Sequence, residues 1–355
     1  MAKHTSYSKA DYNALMSSAI PSSLQHIRGA RFDSAEDSAV FFARELDHVK
    51  KESYDVEYPE LTAINQLPIS NEADPGAETI TYYTYNRIGV AKVVDNYSTD
   101  LPRVDVDGDA SYAKIKSVAA SYGYSAQDMR ASRLAGKSLD TRRGEAARKS
   151  VDTKINTIAF AGDSATGLRG ILSPEQGIPF YAIAAGAQST KTKWTEKTAD
   201  EILDDINGMA KAVSKLTKNV ERPDTLWVPA DVYMHISTKR IPDTNISVMK
   251  YLLDNSPYIT NIVSAAELDA DSFETNPYAC SYSETRDGVT VSGSGAGVAF
   301  LFKNDIRKIS LENPMPYYQY PAQAENLEVK IPVESRTAGV IVYYPLACLI
   351  AVGVS

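Results

Sequence analysis

Residues 142–163 read RRGEAARKSVDTKINTIAFAGD, a stretch that predicts one long helix and decides the fold. Asp140 can cap this helix at its start, Ala161 is its last residue, and Gly162 permits the break that follows. Twenty-two residues at 1.5 Å per residue give a rod of roughly 33 Å. A compact chain of 355 residues has a radius of gyration near ~20 Å, so the helix crosses most of the molecule.

The long helix has two faces of different chemistry. Its apolar positions recur at helical spacing and form one stripe: Ala147, Val151, Ile155, Ile158 and Ala159. Its opposite face carries four basic residues: Arg142, Arg143, Arg148 and Lys149. Three interpretations compete: a nucleic-acid clamp, a strut in a larger assembly, and a solvated surface, which is the usual meaning of a charge run. No aromatic residue for base stacking lies between 125 and 159, which argues against sequence-specific binding of nucleic acid.

The composition narrows the class of protein. A net charge of −8 argues against a protein dedicated to nucleic acid. No run approaches the ~20 apolar residues of a membrane span, and the polar N-terminus lacks the apolar segment of a signal peptide. Cys280 and Cys348 alone predict no disulfide framework and fit a reducing cytoplasm, and the four histidines lack metal-ligand spacing. The 22 tyrosines outnumber the 8 phenylalanines, which favours half-solvated contacts between subunits.

The N-terminal part of the chain predicts an arm. Residues 1–34 are polar, a composition typical of a segment that does not pack into a core by itself. A capping box opened by Ser34 predicts a helix to about Lys51, and Pro59 ends any continuation. We therefore expect an N-terminal arm over residues 1–57.

A long hairpin follows the arm. Residues 78–94 and 111–124 are rich in β-branched and aromatic types and predict two strands, and the polar residues 95–109 between them predict its tip. Ser125 then opens a short helix that ends at about Ala135, before the long helix begins.

The residues beyond the long helix have an α/β pattern. A capping box begins at Thr198, and apolar residues keep helical spacing from Ile202 to Leu216. Residues 223–236 predict a buried strand and then a helix, and residues 245–256 predict another helix. After residue 298 the chain predicts strands throughout.

Three short motifs resemble chemical sites but have simpler interpretations. Asp105–Asp109 has the spaced aspartates of a calcium loop, yet Ala110 and Lys116 occupy the positions that need glycine and glutamate, so a turn is favoured. Gly293–Gly297 resembles a phosphate cradle, but a strand follows it instead of a helix, which favours a hairpin turn. Asp204–Asp205 is interpreted as solvated, on the outer face of a helix. The sequence predicts no catalytic, cofactor or metal site.

Taken in order, these parts resemble the major capsid proteins of tailed bacteriophages, which have the Hong Kong 97-like fold. The most specific similarity lies in four stretches: YPELTAINQLPIS (58–70), GAETITYYTYNRIGVAKVV (76–94), YGYSAQDMRASRLAGKSLDTRRGEAARKSVDTKINTIAFAGD (122–163) and NPMPYYQYPAQ (313–323). The resemblance covers nearly the whole chain, with residues 1–33 as the exception.

The resemblance implies an α+β fold in which the long helix is the spine of a peripheral domain. The implied parts are the arm 1–57, the hairpin or E-loop 77–110, a peripheral domain of 58–76, 111–173 and 305–336 with the spine helix 140–161, and an axial domain of 174–304 and 337–355. The family has no catalytic signature, so the resemblance implies a structural protein and not an enzyme.

The same resemblance implies a shell protein. It would assemble into hexamers and pentamers of an icosahedral phage head around double-stranded DNA, in a virion made in the bacterial host cytoplasm. Portal, scaffold and decoration proteins are the other implied partners, without a membrane. An encapsulin-type compartment shares the fold and stays open as an alternative, and a phosphate-binding soluble enzyme that uses Gly293–Gly297 is a distant one.

Two sets of residues are candidate assembly sites. The hairpin tip is implied to cross an adjacent subunit through Asn86, Arg87, Tyr97, Leu101 and Arg103. The basic helix face is predicted to meet a neighbouring subunit or the packaged DNA: Arg142, Arg143, Arg148 and Lys149. Contact with DNA would be weak and without sequence preference, because the chain is acidic overall.

Overall fold

The computed structural model describes residues 58–93, 103–136 and 140–355. The predicted arm 1–57, with the helix opened by Ser34, lies outside the described residues, as do Tyr97 and Leu101 of the hairpin tip. Within the described ranges, no helix has the length and apolar character needed to cross a membrane.

The described elements alternate between helices and short strands. The helices are α1 (Thr62–Gln66), α2 (Ala126–Ala135), α3 (Asp140–Ala161), α4 (Ala199–Leu216), α5 (Ala230–Thr238) and α6 (Val248–Asn255). The first eight strands are β1 (Ile69–Ser70), β2 (Thr79–Ile88), β3 (Asp105–Lys114), β4 (Lys116–Ser125), β5 (Phe180–Tyr181), β6 (Thr225–Val228), β7 (Asn261–Ser264) and β8 (Tyr282–Arg286). The remaining strands are β9 (Val289–Gly293), β10 (Val298–Phe302), β11 (Ile309–Glu312), β12 (Met315–Gln319), β13 (Gln323–Glu325), β14 (Glu328–Thr337), β15 (Gly339–Val342) and β16 (Leu349–Val352).

The long helix α3 has the predicted bounds, Asp140–Ala161, and the predicted stripe of Ala147, Val151, Ile155, Ile158 and Ala159 is buried throughout. This stripe packs on the sheet in which β14 pairs along its whole length with β4 and, on its other edge, with β12 and β13. The expectation that the helix lies on one layer is therefore confirmed.

The C-terminal end of α3 is closed by the chain that follows it. The amides of Ile171 and Leu172 donate to the carbonyls of Ala159 and Phe160, at 2.8 and 2.9 Å. A Cβ at Gly170 would lie 2.4 Å from the Phe160 oxygen, so only glycine fits this close approach. The carbonyls that every helix leaves unpaired at its end are thereby satisfied inside the fold.

A five-stranded sheet of order β5-β16-β10-β6-β7 has the core of α3 on one side and a second core on the other. Trp227, Phe300 and Phe302 pack on the side of α3, whereas Leu226 and Leu301 pack against α4, α5 and α6 on the other side. Because helices or other strands cover both sides, the central strands are buried at every position.

The hairpin consists of β2 and β3, paired over ten residues, and the predicted bounds of its two strands were wrong. Asp105–Asp109, interpreted as a turn, is the first half of β3, and residues 116–124 belong to β4 in another sheet. Gly108 lies opposite Tyr85, and a Cβ there would approach the Tyr85 ring to 3.1 Å. The glycine therefore makes room for a cross-strand aromatic ring and does not mark a turn.

Strand pairing also shows where the chain runs from one sheet to the other near the boundary of the two predicted domains. β15 pairs with β11, which joins a strand of the predicted axial domain to a strand of the predicted peripheral domain. β16 then enters the five-stranded sheet. The chain therefore leaves the five-stranded sheet between β10 and β11, at residues 303–308, and returns to it between β15 and β16, at residues 343–348. The division into two domains stays a prediction.

Two smaller interpretations were wrong. Gly293–Gly297 connects β9 to β10, which lie in different sheets, so it is a connection between sheets and not a hairpin turn. Asp205 is buried, so its interpretation as solvated together with Asp204 does not hold. The Asp205 carboxylate accepts hydrogen bonds from Lys197 Nζ at 2.5 Å and from Trp194 Nε1 at 2.9 Å.

The Lys197–Asp205 pair lies in the second core. The Lys197 side chain is 1% exposed, and its Nζ also donates to the Ala184 carbonyl at 2.6 Å. Burial raises the pKa of the Asp205 carboxyl, and the Lys197 ammonium opposes that rise. The pair thus ties the segment before α4 to the first half of that helix.

Candidate assembly interface

The hairpin β2–β3 has two faces, because residues directly opposite each other in an antiparallel ladder share a face. One face, which we call the aromatic face, comprises Tyr83, Tyr85, Arg87, Val106 and Tyr112. All five are exposed; Tyr83 is 64% and Tyr85 72% exposed, and their rings stack at 6.5 Å. The row is far more exposed than aromatic side chains usually are in a chain that acts alone.

The other face of the hairpin changes along its length. At its root Ile80 and Tyr82 pack on the body of the molecule, with the Tyr82 ring 5.1 Å from that of Tyr343. Farther out lies what we call the acidic face: Thr84, Asn86, Asp105, Asp107 and Asp109. The three aspartates are exposed. Among the residues described, the hairpin is therefore held at its root only.

The predicted tip residues do not share one face. Asn86 lies on the acidic face and Arg87 on the aromatic face, and both are exposed. Arg103 is exposed just before β3, while Tyr97 and Leu101 lie outside the described residues. Their contact with an adjacent subunit stays a prediction.

The four basic residues of α3 also separate. Arg143 is half-buried; it donates to the carbonyl of Gly123 and lies 3.3 Å from the carboxylate of Asp128. Its guanidinium also covers the ring of Tyr124 at 4.7 Å. Arg143 therefore joins α3 to β4 and α2 within its own chain.

Arg148 is exposed but has partners on its own chain. Its side chain lies 3.7 Å from Asp152, one turn along the helix, and 5.7 Å from the Tyr317 ring. Burial raises the pKa of the Asp152 carboxyl, while Arg148 opposes the rise. Arg142 is exposed and Lys149 half-buried, so the part of the predicted face that meets solvent most fully is Arg142 and Arg148.

Helix α2 has the predicted bounds, and the sequence analysis made no prediction of its exposure. Ser125 Oγ accepts from the Asp128 amide at 3.0 Å, and Gly136 ends the helix in the left-handed region. None of its ten residues is buried, and Leu134 is 92% exposed. A helix of this length gains little stability by itself. Its surface is therefore a second candidate contact region, which sequence reasoning missed.

A family model described as "Major capsid protein" matches residues 89–354, about three quarters of the chain. The chain belongs to the major capsid protein family. The match includes the hairpin's second strand, the whole of α3 and all elements that follow. The predicted family is confirmed, and so is the role of the chain as a major capsid protein.

Solved capsid structures share the fold of this capsid protein. The capsid of Myoviridae phage XM1 matches with a TM-score of 0.70 at 17% identity, over 89% of this chain and 100% of the other. Mycobacterium phage Ogopogo matches with a TM-score of 0.54 at 12% identity, over 88% of this chain and 99% of the other. The capsid of an empty GTA particle matches with a TM-score of 0.60 at 8% identity, over 92% of this chain and 100% of the other. No curated protein matches the chain. The predicted α+β, Hong Kong 97-like fold is confirmed.

Proposed function

We propose that copies of this capsid protein form hexamers and pentamers that close an icosahedral phage head around double-stranded DNA. The virion is then where the protein acts, after synthesis in a bacterial host cytoplasm, and its role is structural and not enzymatic. The observation that carries the proposal is the hairpin, which is held at its root and exposes its aromatic face.

Energetics favour a neighbouring copy as the support of this hairpin. A two-stranded hairpin is marginally stable at best on its own. Covering Tyr83 and Tyr85 would remove roughly 200–300 Å² from water, a gain of about 5–7 kcal/mol per subunit before the entropic cost of association. Because every copy in a shell makes the same contact, a small loss in each weakens the whole assembly. In this proposal the exposed Asn86, Arg87 and Arg103 contribute to the polar rim of the contact.

Other partners follow from the same proposal. A head that packages DNA through one opening needs a portal, and its closure at a defined size favours a scaffold and permits decoration proteins. The arm 1–57 belongs to the same assembly role.

We assign the exposed part of the basic helix face to the lumen. Arg142 and Arg148 would touch the phosphates of packaged DNA, without sequence preference. The contact is weak, because a chain with a net charge of −8 repels DNA elsewhere on its surface. Arg143 is not part of this contact, since it is engaged with Gly123 and Asp128 of its own chain.

The lumen assignment predicts normal shells with weaker DNA retention after charge reversal. In phage that carries Arg142→Glu with Arg148→Glu, we expect closed heads at near wild-type yield that release DNA at lower salt or temperature. Each lost phosphate contact should reduce the slope of log affinity against log salt by about 1. The measurement is DNA content per purified head over a series of salt concentrations.

The matched control is Lys211→Glu with Lys215→Glu, an equal change of charge on the exposed side of α4. If both variants lost DNA to the same extent relative to wild type, only the net charge of the subunit would matter and the lumen assignment would be wrong. If the Arg142 and Arg148 variant formed no heads at all, the face would be a subunit interface and the lumen assignment would be wrong.

A further inference from the structure

The acidic face of the hairpin is a concentration of one sign of charge. Asp105, Asp107 and Asp109 occupy alternate positions of β3, and their partners on β2 at this face include the neutral Thr84 and Asn86. The basic residues of the paired strands lie on the side of the aromatic face: Arg87 and Lys114. Among the described residues, none of the three aspartates forms an ion pair.

Helix α2 offers the complementary charge. Arg130 and Arg133 are one turn apart, so they share a face, and both are exposed next to the 92% exposed Leu134. Within the described part of the chain, neither arginine forms an ion pair. Asp128, the acid of this helix, is already engaged by Arg143. The exposed side of α2 is therefore basic, and the apolar side chain of Leu134 lies beside the two arginines.

The spacings of the two surfaces agree. Alternate residues of a strand lie about 6.6–6.8 Å apart, and side chains three positions apart on a helix lie about 5–6 Å apart at Cβ. The long arginine side chains cover the small difference. Two arginines can thus reach two successive aspartates, and Leu134 then lies against the strand.

We propose that the acidic face of the hairpin of one copy docks on Arg130 and Arg133 of a second copy. The proposal rests on self-assembly of the chain and names the surface at which one copy recognises another. Opposite charges fix the register of such a contact more than its strength. Two copies with a net charge of −8 repel each other, so a local match of this kind selects one relative position.

A charge exchange between the two surfaces tests the proposal in the full chain. One variant changes Asp105, Asp107 and Asp109 to Lys; a second changes Arg130 and Arg133 to Glu; a third combines all five changes. We expect each of the first two to reduce the yield of particles by at least ~10-fold, and the third to restore most of it. The measurement is the fraction of protein that sediments as particles, with the melting temperature of unassembled subunits confirming that each variant folds.

Two further variants distinguish a specific contact between these surfaces from an effect of net charge or of another helix. The changes Asp105→Lys, Asp107→Lys and Asp109→Lys are combined instead with Lys211→Glu and Lys215→Glu, or with Arg142→Glu alone. Neither combination should restore particles. Rescue by the first would overturn the proposal in favour of net charge, and rescue by the second in favour of α3 as the docking surface. Failure of the five-change variant to assemble, while wild-type protein assembles, would overturn this proposal alone. Failure of the wild-type chain would instead count against the proposed assembly.

Salt provides an independent readout. Exposed charges interact over a range of about 10 Å at 0.1 M ionic strength and only about 3 Å at 1 M. Salt also screens the repulsion between the acidic copies, so the test is a comparison: as salt rises, the yield of wild-type particles should fall relative to the yield of the variant with Asp105→Asn, Asp107→Asn and Asp109→Asn. Equal salt dependence of the two chains would contradict the proposal.

Discussion

Replacement of Tyr83 and Tyr85 by serine should abolish shell assembly while leaving the unassembled subunit folded. Both side chains are exposed on the single chain, so their loss changes little within it. In an assembled head they would be buried anchors, and truncation of such anchors costs about 2–4 kcal/mol each. Sedimentation should find subunits or small oligomers, with a melting temperature within about 2 °C of the wild-type subunit.

Two control variants accompany the double serine variant. Tyr83→Phe with Tyr85→Phe keeps the apolar rings and should assemble nearly as well as wild type. Tyr251→Ser removes another partly exposed tyrosine, on α6, and should not prevent assembly. Normal heads from the double serine variant would mean that the aromatic face does not support the shell.

Replacement of Lys197 by methionine should lower the free energy of unfolding of the subunit by about 3–5 kcal/mol at pH 7. The change leaves the buried Asp205 carboxylate without its cation, and an unpaired buried charge carries this cost. Chemical denaturation of unassembled subunits measures it. Adding Asp205→Asn should recover a large part of the loss, because a neutral amide oxygen still accepts from Trp194. A loss below about 1 kcal/mol would show that Asp205 finds water or another donor once the lysine is gone.

The pH dependence of the same variant follows from burial. Burial already raises the pKa of Asp205, and Lys197 opposes the rise, so removing the lysine raises the folded-state pKa further. The folded state then binds a proton more readily than the unfolded state, and stability rises as pH falls through that pKa. The penalty of Lys197→Met should therefore be smaller at pH 5 than at pH 7. An equal penalty at both pH values would place the Asp205 carboxylate in contact with water.

The long helix and its buried stripe could be predicted because their pattern is local. Ala147, Val151 and Ile155 recur at helical spacing, and Gly162 lies where the helix ends. Capping at Ser125 and Thr198 is equally local, and both predicted caps are present. Elements determined by a few neighbouring residues are the ones that sequence reasoning predicted well.

The hairpin shows where local reasoning fails. Asp105–Asp109 has the alternation of a strand, but aspartate and glycine are rare in strands, which favours a turn. The strand forms because ten opposite residues of β2 pair with it. Pairing between strands that are separated along the chain is not visible in a short motif.

The wrong prediction for Asp205 has a different cause. The residue lies three positions after Ile202 and four before Met209, so helical spacing puts it beside the buried stripe. Its charge favours a solvated position, and only the approach of Lys197 and Trp194 in the folded chain makes burial possible. The exposure of the aromatic face and of α2 was likewise invisible, because exposure depends on what the rest of the chain does not cover.

Assembly into a phage head is tested most directly by electron microscopy of the purified full-length protein. We predict closed shells of uniform diameter with fivefold and sixfold clusters of subunits, in which the β2–β3 hairpin of each subunit lies on a neighbouring copy. A uniform preparation of single folded subunits, under conditions where related capsid proteins assemble, would contradict this prediction.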